Sequence, residues 1–557
     1  MTICPSSSQD GTTRRGALTS LGHGVGGMLL AVAMPACARP TSSSDNDDDM
    51  LQQVITSTTP RIIARETPYH LTRSLRIPAG RTITIEEGTR LLWGGPTGAS
   101  TSLLGVFVAD GPDTGVVAEG RGAFVECALP SPFVYAALMR GFSGFVVTGL
   151  HARECQHVHV TASADNHAAV RIDGPDANVA RDVHIIGGGA SYSIPQSVGH
   201  GACFLYFARS CNVRDARYKN VANGVQWWGG NADPVRPPAD GGPRSERKCR
   251  DILIENVSAE GIHGAGIWGS MGRDVTVRNC MVADVGDVGF DAEGSQHVIF
   301  EQCTAHNARN GCFATFFLCA GVRFLNCVGI VDDKTYPLVR VYNESQVNNY
   351  NTGLEIIGGT FECRDPSGPS TIDTANGPVG TLLLKDAMLK NVRIDVAHSN
   401  MHRTNIVGNT LDLPYPLGKL AAITAGSSKS LQGAPQLVPG SVMIADNRIR
   451  YSAKSTTDGA MAILVREDDF NSSAVDQVSG NQINGPFATG ISVVNASANV
   501  GVTPRFAIIG NHFDGMATRA RLLEIKKQGV SASKPIVQWD AAQTRDGRAV
   551  PLVNALR

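Results

Sequence analysis

The sequence predicts an all-β protein wound as a single-stranded β-solenoid, and three observations support this. Few segments repeat apolar residues at the helical period, whereas valine, isoleucine and asparagine recur throughout and glycine contributes 61 of 557 residues. A short apolar pattern recurs at a nearly constant interval. The chain is also much longer than one compact core requires, which favours several domains or one elongated repeat.

The N-terminal residues resemble an export signal. Arg14 and Arg15 precede a weakly apolar, glycine-rich stretch, a pattern typical of a twin-arginine signal over residues 1–38. The apolar part is too short to span a bilayer stably. We therefore expect a periplasmic or extracellular protein, with the leader either removed near Ala36 or anchored to the membrane by a lipid on Cys37.

The remaining boundaries follow from composition. Residues 39–60 are rich in serine and aspartate and are predicted to be a flexible linker. The solenoid is expected over residues 61–530, with a proline-rich, basic insertion at 231–249 and a tail or cap at 531–557. The net charge of −1 gives no general attraction to nucleic acid, so no nucleic-acid partner is expected.

The repeat is clearest in the middle of the chain. Strand-like segments start at Ile252, Val275, Val298 and Val322, which are 23, 23 and 24 residues apart. A constant interval of this size, with glycine and asparagine at the corners, is typical of a β-solenoid.

Amide residues near the end of these segments predict a hydrogen-bonded ladder at one corner. Its members are Asn256, Asn279, Gln302 and Asn326, and asparagine recurs in longer coils at 409, 447, 481 and 511. Cysteine directly follows three of the amides, at 280, 303 and 327. Because cysteine behaves as a small buried apolar residue, we expect these three to stack in the core without disulfides.

From about Pro68 to Phe513 the chain resembles the right-handed parallel β-helix superfamily of pectate lyases, polygalacturonases and phage tailspikes. Gly199-His200-Gly201 matches the Gly-His-Gly of polygalacturonases, but their Asn-Thr-Asp and Gly-Asp-Asp motifs do not precede it. The resemblance implies a coiled parallel sheet and a carbohydrate-related activity. The chemistry must be inferred from the residues themselves.

The repeat predicts which side chains stack on one face of the coil. If Val225, Ile267, Phe290 and Phe313 point inward, the residues that alternate with them point outward. The first outward column comprises Gln226, Trp268, Asp291 and Ala314, and the second comprises Trp228, Ser270, Glu293 and Phe316. Extending this pattern adds Arg171, Asp173, Tyr206, Arg340 and Tyr342.

Aromatic rings, carboxylates and arginines on one face are typical of a sugar-binding groove. The predicted substrate-binding residues are Trp228, Trp268, Gln226, Tyr206, Arg171, Arg340, Tyr342 and Phe316. An alternative remains open, in which Trp228 and Trp268 lie beneath the insertion and fasten it to the coil.

Asp291 and Glu293 are the predicted catalytic pair. They are two residues apart in one strand, so both carboxylates leave the same face, and paired acids are what glycoside hydrolysis requires. Asp287, at the corner before the strand, and His263, one coil earlier, are further candidates. The expected function is degradation of an acidic polysaccharide by a glycoside hydrolase that requires no cofactor.

Two other functions use the same face. A polysaccharide lyase would use Arg171, Arg340 or Lys219 as base or uronate-binding group, with calcium bound by Asp287, Asp291 and Glu293. A non-catalytic glycan-binding surface protein would use the aromatic residues without the acids. The sequence does not identify a metal site or an oligomeric state.

Overall fold

The computed structural model describes residues 47–162, 179–230, 247–342, 352–376, 380–396, 403–427, 441–453, 459–467, 475–496, 503–528, 533–540 and 542–556. These residues form a β-helix in which each coil contributes strands to three faces and pairs in parallel with the coils on either side. The predicted all-β solenoid is confirmed.

The first face is a 17-stranded sheet. Its strands are Arg61–Ile62, Thr82–Ile85, Thr114–Ala118, Ser143–Thr148, Ala180–Ile186, Ala208–Arg214, Cys249–Glu255, Gly272–Arg278, Gln296–Glu301, Ala320–Leu325, Thr352–Ile357, Thr381–Lys385, Arg403–Val407, Ser441–Ala445, Val475–Ser479, Arg505–Ile509 and Ile536–Trp539.

The second face has the shortest strands. They are Tyr69–Leu71, Arg90–Trp93, Gly189–Ser191, Arg217–Lys219, Ser258–Ile262, Met281–Val285, Thr304–Ala308, Val328–Val331, Thr360–Cys363, Met388–Lys390, Thr410–Leu413, Arg448–Tyr451, Gln482–Asn484, His512–Asp514 and Thr544–Arg545. Two long strands, Ala123–Arg140 and Leu150–Thr161, run from the second face onto the third.

The third face carries the predicted site. Its other strands are Leu75–Ile77, Leu104–Ala109, Gly201–Tyr206, Asn223–Trp228, Ile267–Ser270, Val288–Glu293, Gly311–Phe316, Val339–Tyr342, Ser370–Asn376, Val392–Val396, Ala421–Ser427, Met461–Glu467, Thr489–Asn495 and Arg521–Lys527. The predicted insertion follows Asn223–Trp228, and its last residue, Cys249, already belongs to the next first-face strand.

The core is a continuous column of apolar side chains inside the coils. Phe290 stacks on Phe313 with ring centroids 5.3 Å apart and planes 10° apart, and Phe300 contacts Phe324 at 5.3 Å. The cysteines at 280, 303 and 327 are buried, and all eleven cysteines among the described residues are buried free thiols. The predicted cysteine column is therefore confirmed.

The predicted ladder at Asn256, Asn279, Gln302 and Asn326 is wrong. These residues are exposed at the corner between the first and second faces, with φ between 50° and 54°. At these four corners the left-handed residue is exposed, and the following residue is buried. In the later coils that inward position holds asparagine, and there the buried ladder forms through Asn409, Asn447, Asn481, Asn511 and Gln543.

The two ends of the coil differ from the prediction. Part of the expected flexible linker is a helix, α1 (Asp48–Thr56), whose Leu51 and Ile55 are buried against the first coils because the core would otherwise face solvent there. At the other end the coil continues beyond residue 530 to Ile536–Trp539, which pairs with Arg505–Ile509. A hairpin of Thr544–Arg545 with Arg548–Ala549 and the short helix α2 (Leu552–Ala555) complete this end.

The predicted leader, residues 1–38, lies outside the described residues. Within the described ranges, none of the helices has the length and apolar character needed to cross a membrane.

Candidate functional site

The register of the third face agrees with the prediction. Val225 pairs with Ile267, Ile267 with Phe290 and Phe290 with Phe313, and all four side chains are buried in the core. The outward columns follow: Gln226, Trp268, Asp291, Ala314 and Arg340 in one, and Trp228, Ser270, Glu293, Phe316 and Tyr342 in the other. Asp291 and Trp268 therefore lie on the same wall, on adjacent coils about 4.8 Å apart.

The two carboxylates are buried. Asp291 is 0% exposed and Glu293 is 5% exposed. Asp291 lies between Trp268 and Ala314, and Glu293 lies between Ser270 and Phe316. The expected open groove is therefore corrected here, because both carboxylates are shielded from solvent.

Two small apolar clusters on the outer face border the carboxylates. One contains Tyr206, Phe207 and Trp228, and the other contains Val288, Ala314, Phe316 and Tyr342. Tyr206 contacts Phe207 with centroids 4.6 Å apart, and Phe316 contacts Tyr342 at 5.3 Å. Burial of this apolar area outside the main core stabilises the outer layer.

The tryptophan pair packs against itself. Trp228 and Trp268 meet edge to face, with centroids 6.2 Å apart and planes 84° apart. Trp268 is 7% exposed, whereas Trp228 is half-buried. Trp268 is therefore not available for stacking on a sugar ring. Its burial favours the alternative in which the tryptophans hold the insertion against the coil, whereas Trp228 is more accessible.

The end of the insertion lies against this face. Residues 231–246 are outside the described ranges, but Arg247 donates a hydrogen bond from Nη2 to the Leu318 carbonyl oxygen at 3.0 Å. Lys248 is buried, with its ammonium 5.6 Å from the Phe207 ring centroid. The Arg247 side chain therefore links the end of the insertion to the corner that follows Phe316.

Electrostatic effects connect the carboxylates to this edge. Burial raises the pKa of the Cys319 thiol to about 12. The charges of Asp291 and Glu293 act in the same direction, and the charge of Arg247 opposes them. Arg247 and the two carboxylates therefore all lie near the Cys319 thiol.

Asp287 belongs to a hydrogen-bonded chain that the sequence did not predict. Asn310 donates from Nδ2 to Asp287 Oδ1 at 3.0 Å, and Arg340 Nη1 donates to Asn310 Oδ1. Asp287 therefore fixes, through Asn310, the guanidinium two coils beyond Asp291. The repeat does indicate this contact, because Asn310 lies 23 residues after Asp287, which is one coil along the chain.

The other predicted site residues differ in their burial and in the face on which they lie. Tyr206, Arg340 and Tyr342 are half-buried on the third face, and Gln226 is buried there, where its Oε1 accepts a hydrogen bond from the Gly201 backbone nitrogen at 2.8 Å. His263 is exposed at a corner, and no described side chain forms a hydrogen bond with its ring.

Lys219 is exposed on the second face, which separates it from the carboxylates and corrects its predicted role as a lyase base. Arg171 and Asp173 lie outside the described residues. His200, from the Gly-His-Gly match, stacks on Phe204 at 5.1 Å, and burial lowers the pKa of its imidazole.

Ser270 lies beside Glu293 on the preceding coil. Its side chain is fully buried, and its hydroxyl oxygen has no hydrogen-bond partner among the described residues. The repeat predicted the position of Ser270 beside Glu293, whereas its burial is seen only in the structure.

Within the described ranges, no three His, Cys, Asp or Glu side chains converge in the arrangement of a metal site. Calcium binding by Asp287, Asp291 and Glu293 would therefore need further oxygen ligands, such as backbone carbonyls.

Residues 241–363, which contain the carboxylate pair and its neighbouring coils, match the family described as right handed beta helix region. The fold of the described residues is a right-handed parallel β-helix. No curated protein sequence matches it.

Several solved β-helix structures are similar to this right-handed β-helix protein. PfbA, a surface adhesin of Streptococcus pneumoniae, is 11% identical with a TM-score of 0.37, covering 87% of this chain and 90% of PfbA. The catalytic domain of a GH87 alpha-1,3-glucanase solved with tetrasaccharides is 14% identical with a TM-score of 0.34, covering 92% and 71%. The A-module of the Azotobacter vinelandii mannuronan C-5 epimerase AlgE4 is 14% identical with a TM-score of 0.30, covering 90% and 96%. Identities this low carry no information on activity.

Proposed function

We propose that this β-helix protein is an exported enzyme that hydrolyses an acidic polysaccharide on its third face, with Asp291 and Glu293 as the catalytic pair. The observation that carries the proposal is that both carboxylates leave one strand on one wall, with Trp268 and Trp228 on the preceding coils. Their α-carbons are about 6.6 Å apart in an extended strand, which suits two acids acting on one glycosidic bond.

The two carboxyl groups have different neighbours, which supports a division of roles. Asp291 lies between Trp268 and Ala314, an apolar setting suited to a general acid that protonates the leaving oxygen. Glu293 lies beside the Ser270 hydroxyl and is assigned as the base that activates water, or as the nucleophile.

The half-buried side chains on either side provide binding groups for the polysaccharide. Tyr206 and Trp228 on the preceding coils offer ring surface for sugars, and Tyr342 extends this surface past the acids. Arg340, held by Asn310, is positioned to bind a uronate carboxylate. Asp287 is assigned a positioning role for Arg340 and not a part in proton transfer.

A second candidate, β-elimination, is favoured by the same arginine. A guanidinium fixed two coils from Asp291 could neutralise a uronate carboxylate and so make the adjacent proton more acidic. In that reaction Asp291 and Glu293 would bind calcium with additional ligands. A non-catalytic glycan-binding protein is the third candidate, because the aromatic residues alone suffice for binding.

The test is incubation of the purified protein with a panel of uronate-containing and neutral glycans. Hydrolysis produces new reducing ends without near-ultraviolet absorbance, whereas elimination produces unsaturated products that absorb there. Asp291→Asn and Glu293→Gln should each lower turnover by about 10²- to 10⁴-fold, the usual contribution of a general acid or base.

Asp284→Asn is the matched control. Asp284 is an exposed residue of the preceding second-face strand Met281–Val285 with φ of 54°, a conformation that asparagine tolerates. If both site variants keep full turnover, the active site lies elsewhere. If no glycan is cleaved but the variants and the parent bind equally, the glycan-binding alternative is correct.

Export by residues 1–38 is also part of the proposal. Replacing Arg14 and Arg15 with lysine should retain the protein in the cytoplasm of a bacterial host with twin-arginine transport, as measured by cell fractionation. Metabolic labelling with a fatty acid would decide whether Cys37 carries a lipid.

A further inference from the structure

A second groove lies on a different face of the coil from the carboxylate pair. It has a volume of about 680 Å³ and runs across the second face in the C-terminal half of the coil. The side chains that matter here are Asp412, Arg448, Arg450, Gln482, Asn484 and His512. The volume falls within the range of small-molecule sites, roughly 300–1,000 Å³.

The register explains how the groove is built. Arg448 pairs with Gln482 and Gln482 pairs with His512, while Arg450 pairs with Asn484, so the side chains form two parallel columns. Successive coils are about 4.8 Å apart, and five coils from Thr410 to Thr544 give a groove about 19 Å long. That length accommodates a short oligosaccharide lying along the coil axis.

The floor of the groove is rigid. The residues that alternate with the columns, Leu411, Ile449 and Ile483, are buried in the core. Each strand starts immediately after a member of the buried amide ladder, such as Asn447 before Arg448 and Asn481 before Gln482. The polar side chains are therefore displayed on a preorganised backbone, which lowers the entropic cost of binding.

The groove is lined by two arginines, Arg448 and Arg450, and by two aspartates, Asp412 and Asp514. Arg448 and Arg450 leave the same strand on the same side, both are exposed, and neither forms an ion pair with a carboxylate among the described residues. By contrast, Arg90 and Arg153 on the second face both bind Glu126. Two neighbouring guanidinium groups without a protein partner are suited to a carboxylate ligand.

The neighbouring side chains are suited to hydroxyl groups. Gln482 and Asn484 offer both donors and acceptors on the following coil, and Asp412 on the preceding coil accepts hydrogen bonds. One oxygen of Asp412 is buried and has no hydrogen-bond partner in the part of the chain that the structure describes. An uncharged polyol would leave the guanidinium groups unmatched, whereas a uronate-containing oligosaccharide matches both kinds of group.

We propose that this groove is a second, non-catalytic binding site for a carboxylated oligosaccharide. Arg448 and Arg450 bind the carboxylate, and Gln482, Asn484 and Asp412 bind hydroxyl groups. The site does not depend on the third face having catalytic activity.

The experiment is titration calorimetry of the full chain carrying Asp291→Asn, so that any turnover is removed. The probe is a trisaccharide of galacturonic acid, and the neutral comparison is a trisaccharide of glucose. We expect the acidic probe to bind and the double variant Arg448→Gln/Arg450→Gln to weaken this binding at least tenfold. Because Trp228 is assigned to the substrate surface of the third face, every titration also carries Trp228→Ala, so that binding there is weakened and the remaining binding reports the second groove.

Arg403→Gln/Arg505→Gln is the matched control, because these arginines are exposed on the first face and their loss changes the net charge equally. It should bind the probe as the parent does, and an unchanged melting temperature should show that each variant is folded. The proposal is overturned if the probe does not bind, if both double variants bind equally, or if the neutral trisaccharide binds as tightly. None of these outcomes depends on whether the protein cleaves a glycan.

Discussion

Replacing Asn481 with alanine should destabilise the protein strongly, although the residue is far from the proposed active site. Asn481 is fully buried at the corner between the first and second faces. Its Nδ2 donates to the Ile444 carbonyl oxygen at 2.9 Å and to Asn511 Oδ1 at 2.8 Å. Its Oδ1 accepts from the backbone nitrogen and the Nδ2 of Asn447, each at 3.0 Å.

The magnitude follows from the four hydrogen bonds that are lost. Each is worth about 1 kcal/mol net, and a buried partner left unsatisfied costs about 1–3 kcal/mol. The four groups left behind belong to three neighbouring residues in a dry corner, so the change affects three coils. The expected decrease in the free energy of unfolding is therefore about 4 kcal/mol or more.

The assay is urea denaturation followed by far-ultraviolet circular dichroism, with hydrogen exchange at the Asn447 amide as a local measurement. Gln302→Ala is the control, because Gln302 occupies an exposed corner and should change stability by less than about 0.5 kcal/mol. If Asn481→Ala costs no more than Gln302→Ala, and exchange at Asn447 is unchanged, the ladder does not hold the coils together.

Three further predictions concern other parts of the coil. Burial raises the pKa of Asp476 from 3.8 to about 6. At a pH between these two pKa values, the folded state holds a proton that the unfolded state has released. Stability should therefore fall by roughly 3 kcal/mol as the pH rises from about 4 to about 6; Asp476→Asn should remove this slope, and an identical slope in the variant would contradict the assignment. Gly269→Ala should lower the free energy of unfolding, measured in urea, by about 3 kcal/mol, because the added methyl overlaps the buried Trp227 ring. A variant as stable as the wild type would show that the ring can move aside. Leu51→Ala should cost about 3 kcal/mol by removing buried surface of α1, whereas an unchanged thermal midpoint would mean that the helix does not protect the end of the core.

The register of the third face could be predicted from the sequence because the repeat interval is almost constant there. Coils of 23 residues align Ile267 with Phe290 and Phe290 with Phe313, and the alternation within each strand then determines which side chains face outward. Asp291 and Glu293 were placed on one wall by this argument alone. Asn310 was missed because it lies at a corner, where no alternation indicates a direction.

The ladder shows why local patterns were insufficient at the corners. Asn279 and Asn481 occupy neighbouring positions in the repeat, and both look like corner amides in the sequence. The backbone places Asn279 in the left-handed conformation, which exposes it, whereas the next position along, held by Asn481, points inward. A shift of one residue therefore changes a solvent-exposed amide into a buried hydrogen-bonded one.

The sequence by itself determined the solenoid, its period and the set of side chains that share a wall, because these depend on intervals and alternation along the chain. Only the tertiary structure decided which of those side chains remain accessible. Trp268 and Asp291 point outward as expected, yet both are buried. The pairing of Arg448 and Arg450 with Gln482 and Asn484 into a polar groove likewise required coils of unequal length to be stacked. Burial depends on neighbours in space, and a linear pattern does not specify those neighbours where the interval varies.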